Sequence, residues 1–523
     1  MEYNNPSEIV KDLSFGEDAR GKIISGVEKL ANAVKSTLGA SGKCVIYEDA
    51  LGKPVITKDG VTVAESVVLM DAVENLGAML IKEAAKNTVK EAGDGTTTST
   101  VLAYFLLKYA NEFLDEGYQP RDIKKAINKG LDQVVKYLDK NKVEVEGNML
   151  RSVASISTNN DLVLGQIIGE AYETVGKHGV VLMEESEDEK TYFELVNGIQ
   201  FDSPLKSQHF ATDNDKQKSE LENPYILIVA SQIPNIRKIQ AVLEHVIKQG
   251  RSLLIIAPIE QQPLAALLMN KVKGNIKVNV VDLPGFGPTK RDTIEDLASL
   301  TGAKIIDEEL GDDLDLIEPS VLGTALKSIS DSKNTILTIE DVPEAAKQRI
   351  EAVEQKIKEE KNPYTKKKIE QRLAMLSGSV AVIKVGASSK VELKEKKDRV
   401  EDAIYATKAA LQEGIVPGGG VALLNAVHKL KLDTKEDIVF QKAVMAPFIT
   451  ILENADIEVP SDFNYRKGWG INVVTGKPVN MIKAGIIDPV LVTKTALKNA
   501  VSVVNTIISA DCVISNVREN AGS

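Results

Sequence analysis

Gly93-Asp94-Gly95-Thr96-Thr97-Thr98 is the stretch of this sequence that says most about its fold. The two glycines let the backbone turn tightly and approach an anion closely. Three threonines follow at the start of a predicted helix, where free N–H groups and the helix dipole favour phosphate. Asp94 is a candidate ligand for a hard cation such as Mg²⁺. The run predicts a phosphate-binding turn, although a plain Gly/Asp turn with a threonine helix cap fits the same residues.

Other short segments could serve the same ligand. Glycine turns occur at Thr37 to Lys43 and at Gly418 to Gly420, and each by itself also suits a plain helix stop. Lys58-Asp59-Gly60 is typical of a hairpin turn. Asp402 ends a charged run that begins at Lys394, and such a run usually forms a solvated helix face. No Gly-Lys-Ser/Thr follows any of these glycines, so none is a Walker A loop.

Bulk composition narrows the class of protein. The chain has 523 residues, which predicts two to four domains, and is 43% hydrophobic and 27% charged. Its formal net charge of -11 and its 4% aromatic content argue against a nucleic-acid partner. Two distant cysteines predict neither a disulfide framework nor a zinc knuckle, and four scattered histidines leave little for a histidine-based triad or metal site. No segment has the apolar length of a membrane span, so a cytoplasmic location without a membrane partner is expected.

The pattern along the chain predicts a multidomain protein with helical ends and an α/β middle. Alternating short apolar runs and helical stretches in the middle indicate a layer with some parallel strands. Near residue 345 the pattern becomes helical again, and Asn362-Pro363 is expected to break an antiparallel helical hairpin. The predicted helices are residues 23–36, 76–89, 98–137, 234–248, 263–272, 397–412 and 492–509, a hairpin is predicted at 43–63, and the predicted strands are 179–183, 225–229, 253–257 and 278–281.

Taken together, the ordered segments resemble the group I, GroEL-type chaperonins almost from end to end. A single glycine-rich piece would be a weak signal, whereas order and spacing across the whole set are specific. The segments that carry the resemblance are Thr37 to Lys43, Lys58 to Gly60, Gly93 to Thr98, Pro284 to Gly287, Val380 to Asp402, Gly414 to Ala422 and Gly485 to Thr493.

The resemblance implies a GroEL-like fold with three domains. A helical equatorial domain would comprise residues 1–140 and 414–523. A small intermediate domain would comprise 141–196 and 381–413, and an α/β apical, polypeptide-binding domain 197–380. Helical ends around a mixed middle agree with this arrangement.

The resemblance also implies an ATPase site, residue by residue. Asp94 corresponds to the Mg²⁺ ligand, Asp59 to the acid near the γ-phosphate, and Asp402 to the aspartate that activates water. The ATP contacts would be Thr37, Leu38, Gly39, Lys58, Gly95, Thr96, Thr97, Thr98, Gly419, Asn472, Ile486 and Asp488. Such hydrolysis needs charge neutralisation and a placed water more than a nucleophile. The resemblance leaves K⁺ open as a second cation.

Unfolded polypeptides are the implied partners, bound in an apical groove between two helices. The implied contacts are Leu205, Phe210, Leu243, Leu264, Leu268 and Met269, and ordinary core positions of an α/β layer are the alternative. The resemblance further implies a homo-oligomeric, heptameric ring in one or two layers, with a co-chaperonin lid left open. A chaperonin-fold assembly or scaffold protein with weak ATPase activity is the rival function, and a small-molecule kinase is a third class without a visible acceptor pocket.

Overall fold

The computed structural model describes residues 11–49, 51–145, 147–158, 160–176, 179–213, 217–285, 289–359, 369, 372–373, 376, 379–458 and 466–516. The chain forms two compact units. Unit 1 comprises Met1–Glu173, Glu185–Tyr192 and Lys384–Ser523, and unit 2 comprises Thr174–Glu184 and Phe193–Ile383. The three-domain boundaries stay a prediction.

The α-helices are, in chain order, α1 (Gly16–Lys35), α2 (Gly60–Ser66), α3 (Ala72–Ala92), α4 (Thr96–Asp115), α5 (Pro120–Asn141), α6 (Met149–Ser157), α7 (Leu162–Val175), α8 (Gln240–Gln249), α9 (Gln261–Val272), α10 (Thr289–Thr301), α11 (Glu344–Glu359), α12 (Lys390–Glu413), α13 (Val421–Val427), α14 (Asp437–Val444), α15 (Ala446–Asn454) and α16 (Val490–Ile507). The strands are β1 (Lys11–Phe15), β2 (Val45–Glu48), β3 (Pro54–Thr57), β4 (Val180–Glu185), β5 (Tyr192–Phe201), β6 (Ser219–Glu222), β7 (Tyr225–Val229), β8 (Leu253–Ile256), β9 (Val278–Val281), β10 (Ile305–Ile306), β11 (Gly323–Thr324), β12 (Lys327–Ser330), β13 (Thr335–Ile339), β14 (Ser379–Val385), β15 (Ile415–Pro417), β16 (Trp469–Asn472), β17 (Lys477–Asn480), β18 (Ile487–Pro489) and β19 (Cys512–Asn516).

Unit 1 is a helical layer built around α1, α3, α4 and α16, which pack against one another. In α1 the buried residues Ile23, Val27, Leu30 and Val34 recur every three or four positions, which places them on one face. That face joins a single core with residues from both halves of the chain. The predicted helices at 23–36, 76–89 and 492–509 are confirmed.

The two ends of the described chain meet in unit 1. Strand β1 pairs antiparallel with β19, with Lys11 opposite Asn516 and Phe15 opposite Cys512. The Gly16 N–H then donates to the carbonyl oxygen of Asp511 at 2.9 Å. Segments separated by about the whole length of the chain therefore complete one fold.

Unit 2 contains two sheets that share a core. Parallel pairing joins β10, β7, β8 and β9 in that order, with β11 antiparallel beside β7. Strands β8 and β9 are buried along their whole length, as expected where both faces are covered. The second sheet has the order β4-β14-β5-β13-β12-β6. The predicted α/β layer with parallel strands is confirmed.

Several predicted elements differ in detail. The helical block 98–137 is two helices, because the chain turns between Asp115 and Pro120. Residues 234–248 begin as a 3₁₀ turn at Ile236–Ile239 and become α-helical only from Gln240. The predicted break at Asn362-Pro363 lies outside the described residues. Across the described chain, no helix combines the length and apolarity that crossing a membrane requires.

Candidate functional site

The run Gly93 to Thr98 forms a tight connection between α3 and α4. Gly93 ends α3 at φ +78°, and Gly95 precedes α4 at φ +97°, both in the left-handed region that favours glycine. A Cβ on Gly95 would lie 2.8 Å from Val492 Cγ1. No side chain caps α4. Its first-turn N–H groups are therefore available for an anion, as the sequence predicted.

Asp59 begins a helix rather than closing a hairpin. The hairpin strands β2 and β3 end at Thr57, and Asp59 is the N-cap of α2. Its carboxylate accepts from the Val61 N–H at 3.1 Å, from the Thr62 N–H at 2.9 Å and from the Thr62 hydroxyl at 2.7 Å. The hairpin-turn interpretation of Lys58 to Gly60 is thus wrong, because the carboxylate satisfies helix-terminal N–H groups instead.

Asp59 also lies beside the start of α4. A Cβ on Gly60 would come within 2.2 Å of Thr97 Oγ1, so the two helix starts are in close contact. The capping bonds fix the Asp59 carboxylate, while the neighbouring turn holds Asp94, whose Oδ1 accepts from the Gly95 N–H. Two acidic side chains therefore face the same uncapped helix terminus.

A third carboxyl group, Asp402, comes from the middle of α12. Burial raises the pKa of Asp402 well above its usual value, and the negative charges of Asp94 and Asp59 raise it further. Burial likewise raises the pKa of Asp94, the Gly95 N–H lowers it, and the Asp59 charge raises it. The solvated-face alternative for Asp402 is wrong. The three carboxyl groups repel one another, which makes the site attractive to a cation.

The turn after α1 is the other early segment of the site. The Gly42 N–H donates to the Gly39 carbonyl oxygen at 2.9 Å, which closes the turn. Asn454, at the end of α15, donates its side-chain amide to the carbonyl oxygens of Lys35 at 2.8 Å and Leu38 at 2.9 Å. A residue from the second half of the chain thus holds the first glycine turn in place.

The late segments contribute a second turn and a buried acid. The Gly418 N–H donates to the Ile486 carbonyl oxygen at 3.0 Å. Burial raises the pKa of Asp488 to about 7, the Asp94 charge adds to the increase, and hydrogen bonds from the Gly419 and Gly420 N–H groups lower it. Asn472 closes the turn after β16, where its Oδ1 accepts from the Val474 N–H at 3.0 Å.

These segments surround one cavity of about 840 Å³ within unit 1. A volume of this size suits a small-molecule ligand. The structure brings together every residue predicted for the ATPase site, because the cavity is lined by Thr37, Leu38, Gly39, Lys58, Asp59, Asp94, Gly95, Thr96, Thr97, Thr98, Asp402, Gly419, Asn472, Ile486 and Asp488. Their individual roles stay predictions.

Sequence reasoning missed two arginines that line the same cavity. Arg399 lies one helical turn before Asp402 on α12, and it donates to Glu395 Oε2 at 2.8 Å. Arg151, on α6, donates to Glu173 Oε2 at 2.8 Å. Spacing relative to Asp402 could have identified Arg399. Nothing in the sequence around Arg151 marks it.

The acidic residues do not form a preformed metal cage. Within the described ranges, no group of three or more His, Cys, Asp or Glu side chains is arranged to hold a metal ion. Mg²⁺ commonly uses one or two carboxylates together with substrate phosphates and water. The mutually repelling Asp94, Asp59 and Asp402 therefore fit a cation that enters with an anionic ligand.

The residues predicted to contact polypeptides lie in unit 2 and differ in exposure. Met269 is 57% exposed, whereas Phe210 is fully buried in the core. Leu205, Leu243, Leu264 and Leu268 are half-buried and pack against that core. The expected availability of Phe210 is therefore not found, because its ring packs inward in the 3₁₀ turn Gln208–Phe210. Ile247 and Val272 are exposed on α8 and α9 and were not predicted.

Comparison with known proteins places this fold. The chaperonin gp146 from bacteriophage EL 2 (Pseudomonas aeruginosa), crystallised in the presence of ATP-BeFx, is similar in one crystal form with a TM-score of 0.70 and 23% identity, covering 97% of this chain and 99% of that chain. A second crystal form gives a TM-score of 0.65 and 22% identity with the same coverage. The sequence profile of the TCP-1/cpn60 chaperonin family matches residues 30–518. The chain therefore belongs to the TCP-1/cpn60 chaperonin family, as its resemblance to the GroEL-type proteins predicted.

Proposed function

We propose that this chaperonin hydrolyses ATP and uses the hydrolysis to bind and fold unfolded polypeptides. The observation that carries the proposal is the convergence of Asp59, Asp94 and Asp402 on the uncapped start of α4. An uncapped helix terminus attracts phosphate, and acidic groups attract the cation that accompanies phosphate. The presence of both features at one place therefore favours a ligand that combines phosphate with a cation.

Each group has a separate proposed role. The first-turn N–H groups of α4 would bind phosphate oxygens, and Asp94 would hold Mg²⁺, which would neutralise charge on the nucleotide. Asp59, fixed by its capping bonds, orients water. The Asp402 carboxylate is the group that would accept a proton from the attacking water. A cation held by Asp94 would weaken the charge repulsion that, together with burial, raises the pKa of Asp402.

The likeness to a phage chaperonin crystallised with ATP-BeFx supports nucleotide binding at this site. Met481 and Ile486 lie beside Gly419 in the cavity lining, and this apolar surface suits a nucleoside base. ATP is accordingly the proposed ligand, with Mg²⁺ as its cation and K⁺ as a candidate second cation.

The folding role rests on unit 2 and on family membership. Exposed Ile247, Met269 and Val272 provide apolar surface on α8 and α9, which suits unfolded chains because it demands no sequence. We propose a cytoplasmic homo-oligomeric ring, heptameric as in the GroEL-type proteins, with the equatorial, intermediate and apical boundaries given above. A co-chaperonin lid would close such a ring.

Steady-state phosphate release tests the ATPase proposal. The Asp402→Ala variant should release phosphate at least about a hundredfold more slowly than wild type, which is typical for loss of a general base. Asp132→Asn, on the exposed side of α5, is the control for loss of a surface carboxylate and should match wild type. A wild-type rate no faster than that of Asp402→Ala would refute hydrolysis and favour the scaffold alternative.

Refolding of a denatured client enzyme tests the folding proposal separately. Wild type with ATP should restore client activity, and Asp402→Ala should bind the client without restoring it. Replacing Met269 and Val272 together by serine should reduce client capture while leaving phosphate release unchanged. Capture that survives this change would contradict the proposed surface.

A further inference from the structure

A cluster of uncharged polar side chains lies in the core of unit 2, away from the cavity. We call it the hydroxyl seam, and it consists of Ser203, Ser219, Asn279, Ser328, Ser330 and Thr335. Each of these residues is at most 1% exposed. Around them is an apolar core formed by both sheets, so the seam is a polar region where only apolar contacts would be expected.

The sheet register explains why the seam is contiguous. Ser330 of β12 stands directly opposite Ser219 of β6 and Thr335 of β13. Ser328 is two residues before Ser330 and therefore points to the same face. Asn279, on β9 of the other sheet, reaches this face and donates its amide to Ser330 Oγ at 2.9 Å.

Part of the seam is connected by a directional chain of hydrogen bonds. The Thr335 hydroxyl donates to the Ser203 carbonyl oxygen at 2.6 Å, which uses its only proton. Ser330 Oγ, 2.9 Å from Thr335 Oγ1, must then donate to it while accepting from Asn279. This chain of hydrogen bonds links β9, at the edge of the parallel strands, to β12 and β13 of the second sheet and to the segment that follows β5.

Four oxygen atoms of the seam have no partner among the residues that the structure describes. They are Ser203 Oγ, Ser219 Oγ, Asn279 Oδ1 and Ser328 Oγ. A buried polar atom without a hydrogen bond is costly, and native proteins rarely keep several together. Such a group of atoms is the usual setting of buried water, which needs two to four polar partners.

The hydrogen-bonding capacity of these four oxygen atoms indicates what kind of molecule binds to them. Asn279 Oδ1 can only accept a hydrogen bond, so its partner must donate one. The serine hydroxyls can both donate and accept. Water meets both demands, whereas an anion cannot donate and no charged side chain belongs to the seam to balance an ion. We infer that ordered water molecules bind in the hydroxyl seam and bridge Asn279 Oδ1 to the serine hydroxyls.

The position of the seam gives this water a structural role. Beyond Ser203, the Leu205 N–H donates to the Asp331 carbonyl oxygen at 2.9 Å and the Lys206 N–H to the Val280 carbonyl oxygen at 3.1 Å. The segment therefore lies between the edge of β9 and the β12–β13 turn. Bound water would complete the support behind it, independently of any nucleotide.

Replacing single serines by alanine tests the inference, because bound water and dry packing predict opposite changes in the stability of unit 2. If water satisfies them, Ser219→Ala and Ser328→Ala each lose a hydrogen bond, and the unfolding constant of unit 2 rises roughly two- to tenfold. If the seam is dry, alanine removes an unpaired polar atom, and the unfolding constant falls. Ser332→Ala, at the exposed turn between β12 and β13, is the matched control and should change nothing.

Hydrogen exchange of peptides from β12 and β13, measured by mass spectrometry on the full chain in increasing urea, gives the unfolding constant. A crystal structure that resolves ordered solvent is the second measurement. Density within hydrogen-bond distance of Asn279 Oδ1 and of at least one serine Oγ would support the inference. Dry packing, or an anomalous signal from Tl⁺ at this place after soaking, would overturn it, since the latter assigns a monovalent cation.

Discussion

Replacing Asp488 by asparagine should stabilise the nucleotide-free protein, and more so at high pH. The folded protein holds the pKa of Asp488 at about 7, compared with an ordinary value of 3.8. Since each tenfold change in proton affinity corresponds to about 1.4 kcal/mol, the ionised carboxylate costs up to ~4 kcal/mol. Asp488 is only half-buried, and water in the cavity screens part of this cost. We therefore expect a gain of about 2–4 kcal/mol at pH 8.

The pH dependence follows from the direction of the pKa change. Below pH 3.8 the carboxyl is neutral in both the folded and the unfolded protein, so it contributes nothing. As the pH rises towards 7, the unfolded chain ionises first, and wild type progressively loses stability. At pH 5 less than half of the full effect, about 1.6 kcal/mol before screening, is present. Asparagine removes this loss while its amide oxygen still accepts from Gly419 and Gly420.

Urea unfolding followed by tryptophan fluorescence measures the effect. Trp469 is the single tryptophan of the chain and lies in β16 of unit 1, so it reports the relevant unit. The measurement uses EDTA and no nucleotide, at pH 5 and pH 8, with Asp132→Asn as the control for loss of a surface charge. An unchanged midpoint at pH 8, or a gain equal at the two pH values, would refute the buried-charge reasoning.

Three further perturbations test other parts of the structure. Asn454→Ala should raise the KM for ATP several-fold with little change in kcat, because the turn after α1 loses both hydrogen bonds from the Asn454 amide. An unchanged KM in steady-state assays would show that Asn454 does not position this turn for ATP. Gly95→Ala should lower the free energy of unfolding by more than the roughly 1–2 kcal/mol of left-handed backbone strain, because the new Cβ would also collide with Val492. The same collision should abolish ATP binding in calorimetry. Gly117→Ala, which has a similar positive φ but open space around it, should show the cost of the backbone strain alone. Asp296→Ala should destabilise unit 2 by about 1.5–3 kcal/mol in hydrogen exchange, because Arg349 and Arg372 lose hydrogen bonds to a shared partner that is only 3% exposed but keep Glu295 and Asp292. The exposed Asp315→Ala, which breaks a pair with Lys238, should cost less than about 1 kcal/mol. Equal costs for the two variants would argue against the importance of burial at Asp296.

Local sequence was sufficient where a segment carries its own geometry. Gly93 to Thr98 has the glycines and the helix start needed for its turn, and the structure uses them in that way. The strands β7, β8 and β9 were predictable for the same reason, because a short apolar run bounded by turns leaves few alternatives.

Local sequence was insufficient where a residue's surroundings come from distant parts of the chain. Asp402 sits in a charged stretch of α12, and only the approach of Asp94 and Asp59 distinguishes it from the other acidic residues there. Its proposed role came from the resemblance to the GroEL-type proteins. Arg151 has no marker at all, since α6 carries it into the cavity. Phe210 is buried because its 3₁₀ turn packs the ring inward, and the spacing of apolar residues in the sequence does not predict this. The hydroxyl seam needed the register of three strands and the approach of a fourth.

The pairing of β1 with β19 has a consequence for how the chain is made. A ribosome releases residue 512 only after residues 1–511 have emerged, so β1 cannot form this pairing before then. Unit 2 lies in a nearly continuous middle stretch and can fold while synthesis continues. The cavity needs segments as early as Thr37 and as late as Thr493. A nascent chain that has not yet emerged as far as Thr493 therefore lacks part of the lining of this cavity.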